Sequence, residues 1–497
     1  MNCACSPTAP PWGKSAADRC KPQPRRAGGV EPHVAAHRAR SSASHARSRS
    51  PLHARFTLSR DLAPQRGRPL VAPPRTFTLD APEIPEMHSK TAVPLRCSLL
   101  VFLTLLCPRA LAGDPTSAVE SPAPATGSAE AGGRWIPAGG TAWSAAEGDV
   151  SVELFGRLQN DWAFNSSGPG MEDGTEFRRA RLGVKGTLYE NVFFKVQYDF
   201  AGGDADFMDT YLGFTDVVGE ADVKVGHFKE PFSLEELTSS KYLTFLERSL
   251  PNALSPGRNT GVGISDASGD VTWSLGMFRT SGSDGDDVGG PSQEYSATAR
   301  VTFTPVYADG GDEVLHLGLA YSDRSADDGV VSFATGPENH QAPDVVDTGD
   351  IIADGYGLLG LEGAWVHGPL SLQAELIQAS VDAADGSEPE FVGHYFYAGW
   401  FVTDGDRRNY DRRSAAFGRV KPEANYGTEG NGALELTARL SALDLDGAGV
   451  PGGKLDDFTL GVNWYLNPNT RVMLNYVTGD EGGIDREAVL ARFQIDF

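Results

Sequence analysis

The chain of 497 residues carries 66 Asp and Glu against 43 Lys and Arg, a formal net charge of −23, and it has five cysteines. This acidity argues against a nucleic-acid partner, because phosphate backbones are bound through an excess of basic side chains. All five cysteines precede residue 113, so the rest of the chain can hold no disulfide, thiolate metal site or cysteine nucleophile. It also has no apolar run of 18 residues, which excludes a conventional transmembrane helix there.

The first segment, residues 1–86, is basic and proline-rich and shows no apolar periodicity. Such a composition cannot bury a core, so we predict that it is disordered. We interpret it as an over-extended N-terminus, with translation beginning at Met87. A basic arm that binds nucleic acid is the weaker alternative.

Residues 87–112 have the order of a secretory signal peptide. Lys90 and Arg96 precede an apolar run over residues 99–106, and Ala110 and Ala112 supply the small residues of a cleavage site. We therefore predict export and removal of this segment. Residues 113–149 are rich in Ala, Gly, Ser and Pro and are predicted to form a flexible leader.

From residue 150 onward, short segments alternate apolar and polar residues and are separated by turn residues, as β-strands do. Sixteen such segments are predicted, near residues 150–164, 174–188, 191–201, 206–217, 220–228, 260–267, 269–279, 294–304, 313–322, 357–367, 369–381, 391–403, 432–443, 454–466, 470–478 and 487–497. Short turns alternate with longer loops rich in Asp and Gly. The predicted fold class is therefore all-β, a transmembrane antiparallel β-barrel of about sixteen strands spanning residues 150–497.

A soluble β-sandwich would show the same alternation, but three features favour the membrane. One strand face is almost purely apolar, whereas the other is mixed and charged. The chain ends in a strand whose last residue is Phe497. Aromatic residues fall near segment ends, where the girdles of membrane barrels lie, namely Tyr198, Phe200, Trp464, Tyr465 and Tyr476.

One connection departs from this pattern. Residues 404–431 would lie on the short-turn side, yet they number 28. Residues 415–421 could form a further strand, so the strand count has an uncertainty of two, because a barrel with both chain ends on one side needs an even number.

The segment of residues 229–259 interrupts the two-residue period. Ser233 and Glu236 have capping-box spacing, and short apolar patches follow. Its apolar residues need a covering surface, which the inner wall of the barrel can supply. We predict that this loop folds inward between the fifth and sixth strands and narrows the lumen.

If the apolar face meets lipid, the other face lines the lumen. The predicted inward bases are Arg157, Arg179, Arg181, Lys185, Lys195, Lys224, Arg300, Arg439, Arg471 and Arg492. The predicted inward acids are Glu153, Asp199, Asp209, Asp222, Glu362, Glu375, Glu435 and Asp496. Rings of Arg and Lys could favour anions at the constriction. The alternative is that opposite charges pair across neighbouring strands and only keep the lumen wet.

No catalytic constellation is recognisable, and we predict neither an enzyme nor a cofactor. The histidines after residue 113 are scattered, and neither G-x-S-x-G nor H-E-x-x-H occurs. Asp/Gly loops such as residues 283–287 lack EF-hand spacing, so a solvated loop is favoured over a Ca²⁺ site.

Four stretches of the sequence resemble the phosphate-selective porin O and P family of bacterial outer membranes. These are FRRARLGVKGTLYENVFFKVQYDF (177–200), VKVGHFKEPFSLEELTSSKYLTFLERSLPNAL (223–254), AFGRVKP (416–422) and GVNWYLNPNTRVMLNYV (461–477). The resemblance extends over about residues 150–497. It implies a sixteen-stranded trimeric porin whose third external loop folds inward and whose basic residues lead anions to a lysine-bearing phosphate site. The candidate pore-lining and anion-binding residues are Arg179, Arg181, Lys185, Lys229, Lys241 and Arg248.

The leading hypothesis is an outer-membrane porin for passive diffusion of small polar solutes, including anions such as phosphate. Its expected partners are outer-membrane lipid, the solutes themselves and two further copies of the chain. A non-conducting outer-membrane barrel and a soluble secreted β-protein that binds metal stay open as alternatives.

Overall fold

The computed structural model describes residues 134–137, 141–144, 149–282, 285 and 294–497. The segments predicted as an over-extended N-terminus (1–86) and a signal peptide (87–112) lie outside the described residues. No helix among the described residues is both long and apolar enough to cross a membrane.

Sixteen antiparallel strands form a closed β-barrel, which confirms the predicted fold class. The strands are β1 (Val150–Ser167), β2 (Gly174–Leu188), β3 (Val192–Asp199), β4 (Asp206–Val218), β5 (Ala221–Lys229), β6 (Arg258–Ser268), β7 (Val271–Arg279), β8 (Ser296–Ala308), β9 (Glu313–Ser325), β10 (Ile351–His367), β11 (Leu370–Ala383), β12 (Glu390–Phe401), β13 (Ala433–Gly447), β14 (Val450–Asn467), β15 (Thr470–Glu481) and β16 (Ile484–Asp496). Each strand pairs with the next, and β16 pairs with β1, so that Asp496 lies opposite Arg157.

Gly156 of β1 lies at this seam, where its backbone pairs with that of Phe497. A Cβ atom at Gly156 would lie 2.6 Å from the Phe497 ring and 2.8 Å from the Arg181 carbonyl oxygen. The absence of a side chain there lets the terminal ring cover the first strand.

The two ends of the barrel differ. At the end that holds both the start of β1 and the end of β16, the connections have two to four residues, except for residues 402–432. We call this the short-turn end and the opposite one the loop end.

The outer face of the barrel is apolar. Residues such as Leu158, Leu212 and Leu275 alternate with inward polar ones and are 46%, 43% and 51% exposed. Their exposure fits a lipid-facing surface, since water would oppose so much uncovered apolar area. Trp162 and Trp400 also face outward, near opposite ends of the barrel. Tyr465 is an exception to the predicted girdle, because it points inward and donates a hydrogen bond to Glu435.

Residues 402–432 do not add a strand to the wall. Within them, Tyr410–Asp411 pairs with Ala416–Phe417 in a separate two-stranded sheet. The strand considered for residues 415–421 is therefore a short hairpin, and the count of wall strands is sixteen.

Two short segments of the predicted leader are paired as strands. Arg134–Pro137 pairs with Thr141–Ser144, which in turn pairs with residues 151–154 of β1. These β1 residues extend beyond the end of β16, so their backbone groups are free to bind another strand.

Candidate functional site

The segment of residues 230–257, which we call the constriction segment, crosses the interior of the barrel. It contains a short helix, Leu234–Leu237, whose first amide groups bind the Glu375 carboxylate of β11. One half of the capping box is formed: the Ser233 hydroxyl accepts a hydrogen bond from the Glu236 amide. Phe232, Leu234, Phe245 and Leu246 are at most 2% exposed, and inner-wall residues contribute to covering them.

Basic side chains of the wall hold the backbone of the constriction segment. Arg471 donates to the Leu243 carbonyl oxygen at 2.7 Å and Arg492 to that of Leu246 at 2.5 Å. Arg157 donates to the Ser240 hydroxyl at 2.5 Å. Arginines on β1, β15 and β16 therefore act as anchors of the loop, a role that the residue pattern alone does not reveal.

Glu247 of the constriction segment forms ion pairs with two arginines of the wall. Arg178 binds it with two hydrogen bonds of 3.0 and 3.1 Å, and Arg492 binds it at 2.8 Å. Burial alone would raise the pKa of Glu247, but Arg178, Arg179 and Arg492 hold it well below the usual range. Glu247 therefore stays ionised and fixes the far end of the loop.

Arg178 was missed by the sequence reasoning because strict alternation assigns it to the outer face. In the structure, Gln159 pairs with Arg179 and Asn160 pairs with Phe177, so Arg178 is an unpaired bulge residue. A bulge re-aims the side chain locally, and here it turns Arg178 toward Glu247.

The anchors leave one side of the interior less occupied, the wall of β1 to β7. Three of its basic groups have acidic partners: Arg181 pairs with Asp199 at 2.6 Å, and Lys195 and Arg258 share Asp209 at 2.5 and 2.7 Å. These charges therefore pair with one another across neighbouring strands, as the alternative interpretation of the inner wall predicts, and they also face the lumen.

A cavity of about 290 Å³ lies between this wall and the constriction segment. We call it the basic cavity, because five of its six charged residues are basic. Those six are Arg157, Lys185, Lys195, Lys241, Arg419 and Glu153. A concave site with this excess of positive charge attracts anions.

Lys241 of the constriction segment lies in the basic cavity with its ammonium 3.6 Å from the Asp496 carboxylate. Burial lowers its pKa to about 8, and Arg157, Arg419 and Lys185 act in the same direction, whereas Asp496 opposes them. Its charge is therefore sensitive to pH near neutrality.

The six predicted site residues divide into three groups. Lys185 and Lys241 line the basic cavity. Arg181 and Lys229 lie on the less occupied wall in ion pairs with Asp199 and with Glu236, the latter at 2.9 Å. Whether any of them binds an anion stays a prediction.

Arg179 and Arg248 are engaged in the packing of the constriction segment and its wall. Arg179 is 4% exposed and donates to Gln159 at 3.1 Å. Arg248 pairs with Glu236 at 3.0 Å and donates to three carbonyl groups of its own loop. Burial alone would raise the pKa of Glu236, but Arg248 and Lys229 lower it to about 2, so it balances part of their charge.

Residues 402–432 enter the lumen from the short-turn end and meet the constriction segment. Arg408 donates to the Tyr242 carbonyl oxygen at 2.9 Å, and Tyr410, Ala416 and Phe417 pack against Leu234. Arg419 reaches the Asp496 carboxylate and contributes to the basic cavity. Sequence reasoning did not assign Arg419 to the site, although it falls within the AFGRVKP stretch.

The opposite wall, β8 to β14, contributes to buried ion pairs. Glu362 pairs with Arg300 at 2.7 Å, and Arg439 pairs with Glu235 at 3.2 Å and with Glu338. Both walls thus carry ion pairs, and an excess of basic groups is found in the lining of the basic cavity. Within the described part of the chain, no group of three or more His, Cys, Asp and Glu could hold a metal ion.

Comparisons with known proteins agree with this architecture. The sequence profile described as "Phosphate-selective porin O and P" matches residues 152–497. Porin O of Pseudomonas aeruginosa is 28% identical over 417 residues, covering 72% of this chain and 91% of the relative. A protein of Caulobacter vibrioides is 29% identical over 376 residues, covering 70% of this chain and 75% of the relative.

Two solved structures align with part of the chain at low sequence identity. The anion-selective porin from Comamonas acidovorans is 13% identical, with a TM-score of 0.45 over 70% of this chain and 100% of that one. The trimer form of Vibrio cholerae OmpT is 13% identical, with a TM-score of 0.47 over 70% and 99%.

Proposed function

The chain belongs to the phosphate-selective porin O and P family, and from this premise we propose that its lumen favours small anions at the basic cavity. It is a porin of the bacterial outer membrane, through which small solutes pass by diffusion. Diffusion requires no bond to be made or broken, so we assign the chain no enzymatic activity.

The observation that carries the anion preference is the lining of the basic cavity, with five basic residues and one acid. Phosphate and related oxyanions fit this lining, because ammonium and guanidinium groups bind their oxygens through charge-assisted hydrogen bonds. The family description, which names phosphate, supports the same choice. Within this proposal, Lys185 and Lys241 contact the anion, and Arg181 and Lys229 sustain the positive potential around it.

Planar-bilayer recording on the refolded chain tests the proposal. We expect a reversal potential in a KCl gradient that indicates anion preference, and block of the chloride current by phosphate. Lys241→Gln should weaken both effects. Lys454→Gln is a matched control, because this lysine is 59% exposed, lies at the loop end and pairs with Asp444. A cation preference in the unmodified channel would contradict the proposal.

A non-conducting barrel is the second candidate. It is favoured by the contact between residues 402–432 and the constriction segment, which both occupy the lumen. The same recordings decide between the two, because a plugged barrel would insert without producing conductance steps.

We further propose that the barrel is a homotrimer in contact with outer-membrane lipid. The family resemblance supports the trimer, and the exposed apolar outer face supports the lipid contact. Native mass spectrometry from detergent micelles should yield three copies per particle; a monomer at all concentrations would oppose the trimer.

A further inference from the structure

A second cavity lies beside the basic cavity and has a different chemical character. Its volume is about 530 Å³, and it lies between β5 to β7 and the two inward segments. The two cavities share Ser239 and Tyr242, so they adjoin at the constriction segment.

The charged lining of the second cavity is balanced. Four acidic residues face four basic ones, namely Glu220, Asp222, Asp266 and Asp411, and Lys224, Lys229, Arg300 and Arg413. A balanced cavity gives no net advantage to a simple anion or cation. It is suited to a solute that carries both charges.

Two neighbouring groups of this lining have unused binding capacity. The Oδ1 atom of Asp222 is buried and accepts no hydrogen bond from the described residues. Its other oxygen is 3.5 Å from Arg413, whose side chain is 78% exposed. Lys224 lies 5.4 Å from the ring centroid of Tyr211 and, within the described part of the chain, forms no ion pair.

Asp222 and Lys224 are two residues apart on β5, so both side chains face the lumen about 7 Å apart along the strand. A solute whose ammonium and carboxylate groups lie about 3 Å apart can bridge them, with one hydrogen bond of about 3 Å at each end. An unpartnered buried carboxylate oxygen is costly, so a donor group from the solute would relieve that cost.

The rest of the lining offers apolar surface. Phe228 and Phe278 pack edge to face with centroids 5.3 Å apart, and Leu237 and Phe417 lie on the two inward segments. Cavities of this size, with aromatic walls and a few convergent polar groups, are typical of small-molecule sites.

We propose that the second cavity binds zwitterionic solutes with an apolar substituent, that is, apolar α-amino acids. Asp222 accepts a hydrogen bond from the ammonium group, Lys224 binds the carboxylate, and the aromatic wall covers the side chain. This inference rests on the proposed function, because the solute reaches the cavity through the conducting lumen.

The test measures block of the KCl current by L-phenylalanine in planar bilayers. Two analogues each lack one charge, 3-phenylpropionate the ammonium group and phenethylamine the carboxylate, and glycine lacks the apolar substituent. We expect half-block by L-phenylalanine at a concentration about tenfold lower than for any of the three, because each loses one contact of the site. Equal block by L-phenylalanine and 3-phenylpropionate would overturn the inference.

Variants locate the site. Asp222→Asn should raise the half-block concentration of L-phenylalanine to that of 3-phenylpropionate, while block by phosphate stays unchanged. Asp385→Asn is the matched control. This carboxylate lies in an exposed loop, so the substitution should change neither the block by L-phenylalanine nor the block by phosphate. Heat-modifiable migration verifies that each variant is folded.

The outcomes separate the two proposals. A channel that conducts and is blocked by phosphate, but does not distinguish L-phenylalanine from its analogues, overturns only the second-cavity site. A channel with amino-acid block but no phosphate block overturns the anion preference instead. A barrel without conductance overturns both.

Discussion

Lys241 is the residue whose charge depends most directly on pH in the proposed anion path. Its pKa of about 8 lies below the ordinary lysine value, chiefly because of burial. The ammonium form is therefore present below about pH 8 and is lost as pH rises, which removes one of the five positive charges of the basic cavity.

We therefore expect the anion preference of the channel to fall between about pH 6 and about pH 10, with a midpoint near the Lys241 pKa. Reversal potentials in a KCl gradient measure it. Lys241→Arg is the matched control, because guanidinium stays protonated over this range and the profile should flatten. Tyr242 does not interfere, since burial raises its pKa. An identical profile in both proteins would exclude Lys241 as the titrating group.

The ion pair between Arg178 and Glu247 is expected to hold the constriction segment in place. Arg178→Gln leaves part of the buried Glu247 charge uncompensated, which costs about 3 kcal/mol and loosens the constriction segment. We expect a larger conductance with more current noise. Removing the Glu247 charge as well should recover part of the stability. The conductance and stability of the double variant Arg178→Gln/Glu247→Gln should therefore be closer to those of the unmodified protein than the values of Arg178→Gln alone. Additive effects would show that the two residues do not interact.

Individual residues also show where sequence reasoning reaches its limit. Alternation placed Arg157, Lys195 and Arg492 on the inner face, because a side-chain period of two follows from strand geometry alone. It could not place Arg178, because a bulge shifts the phase. It also could not distinguish Lys241, which lines a cavity, from Arg248, which binds carbonyl groups of its own loop, since that depends on how the loop folds back.

At the scale of elements, the sixteen strands could be predicted because each carries its own alternation and turn residues. The connection of residues 402–432 could not, because its position depends on contacts with distant parts of the chain. Arg408 reaches Tyr242, and Arg300 of β8 donates to the Ala415 carbonyl oxygen at 2.9 Å. The pairing of Arg134–Pro137 with Thr141–Ser144 could not be predicted either, because it requires only the free backbone edge of β1 and leaves no side-chain pattern in the sequence.

A third prediction follows from the position of residues 402–432. Replacing them with a four-residue turn, the longest of the other connections at that end, should raise the single-channel conductance by widening the lumen. It should also reduce the anion preference, because Arg419 is removed. Arg419→Gln is the control, and it should reduce the anion preference while leaving the conductance nearly unchanged. Unaltered conductance after the replacement would mean that this connection does not limit the current.

For the molecule as a whole, the notable property is the contrast between its acidic composition and its basic cavity. Residues 113–497 contain 60 Asp and Glu against 26 Lys and Arg, whereas the cavity lining is mostly basic. The excess acid lies largely in loops and turns in water, where salt screens it, so its opposition to anions acts mainly at low ionic strength.

We therefore predict that the anion preference varies with salt in two regimes. Raising KCl from about 0.01 M to about 0.1 M should increase it, since the Debye length falls from about 30 to about 10 Å and the outer acids are screened first. A further rise to about 1 M should decrease it, as screening reaches the cavity. Reversal potentials at a fixed concentration ratio measure both steps. A steady decrease from the lowest salt would show that the outer acids have no effect.

The anchoring of the constriction segment also bears on how the pore assembles. Its partners come from both ends of the barrel sheet, with Arg157 on β1 and Arg471 and Arg492 on the last two strands. These groups stand side by side only after β16 has paired with β1. The segment thus lacks a complete docking site until the seam closes, and we expect it to become protease-resistant after the barrel itself does. Narrowing of the lumen would then be the last step of biogenesis, and the constriction segment would dock only in a correctly closed barrel.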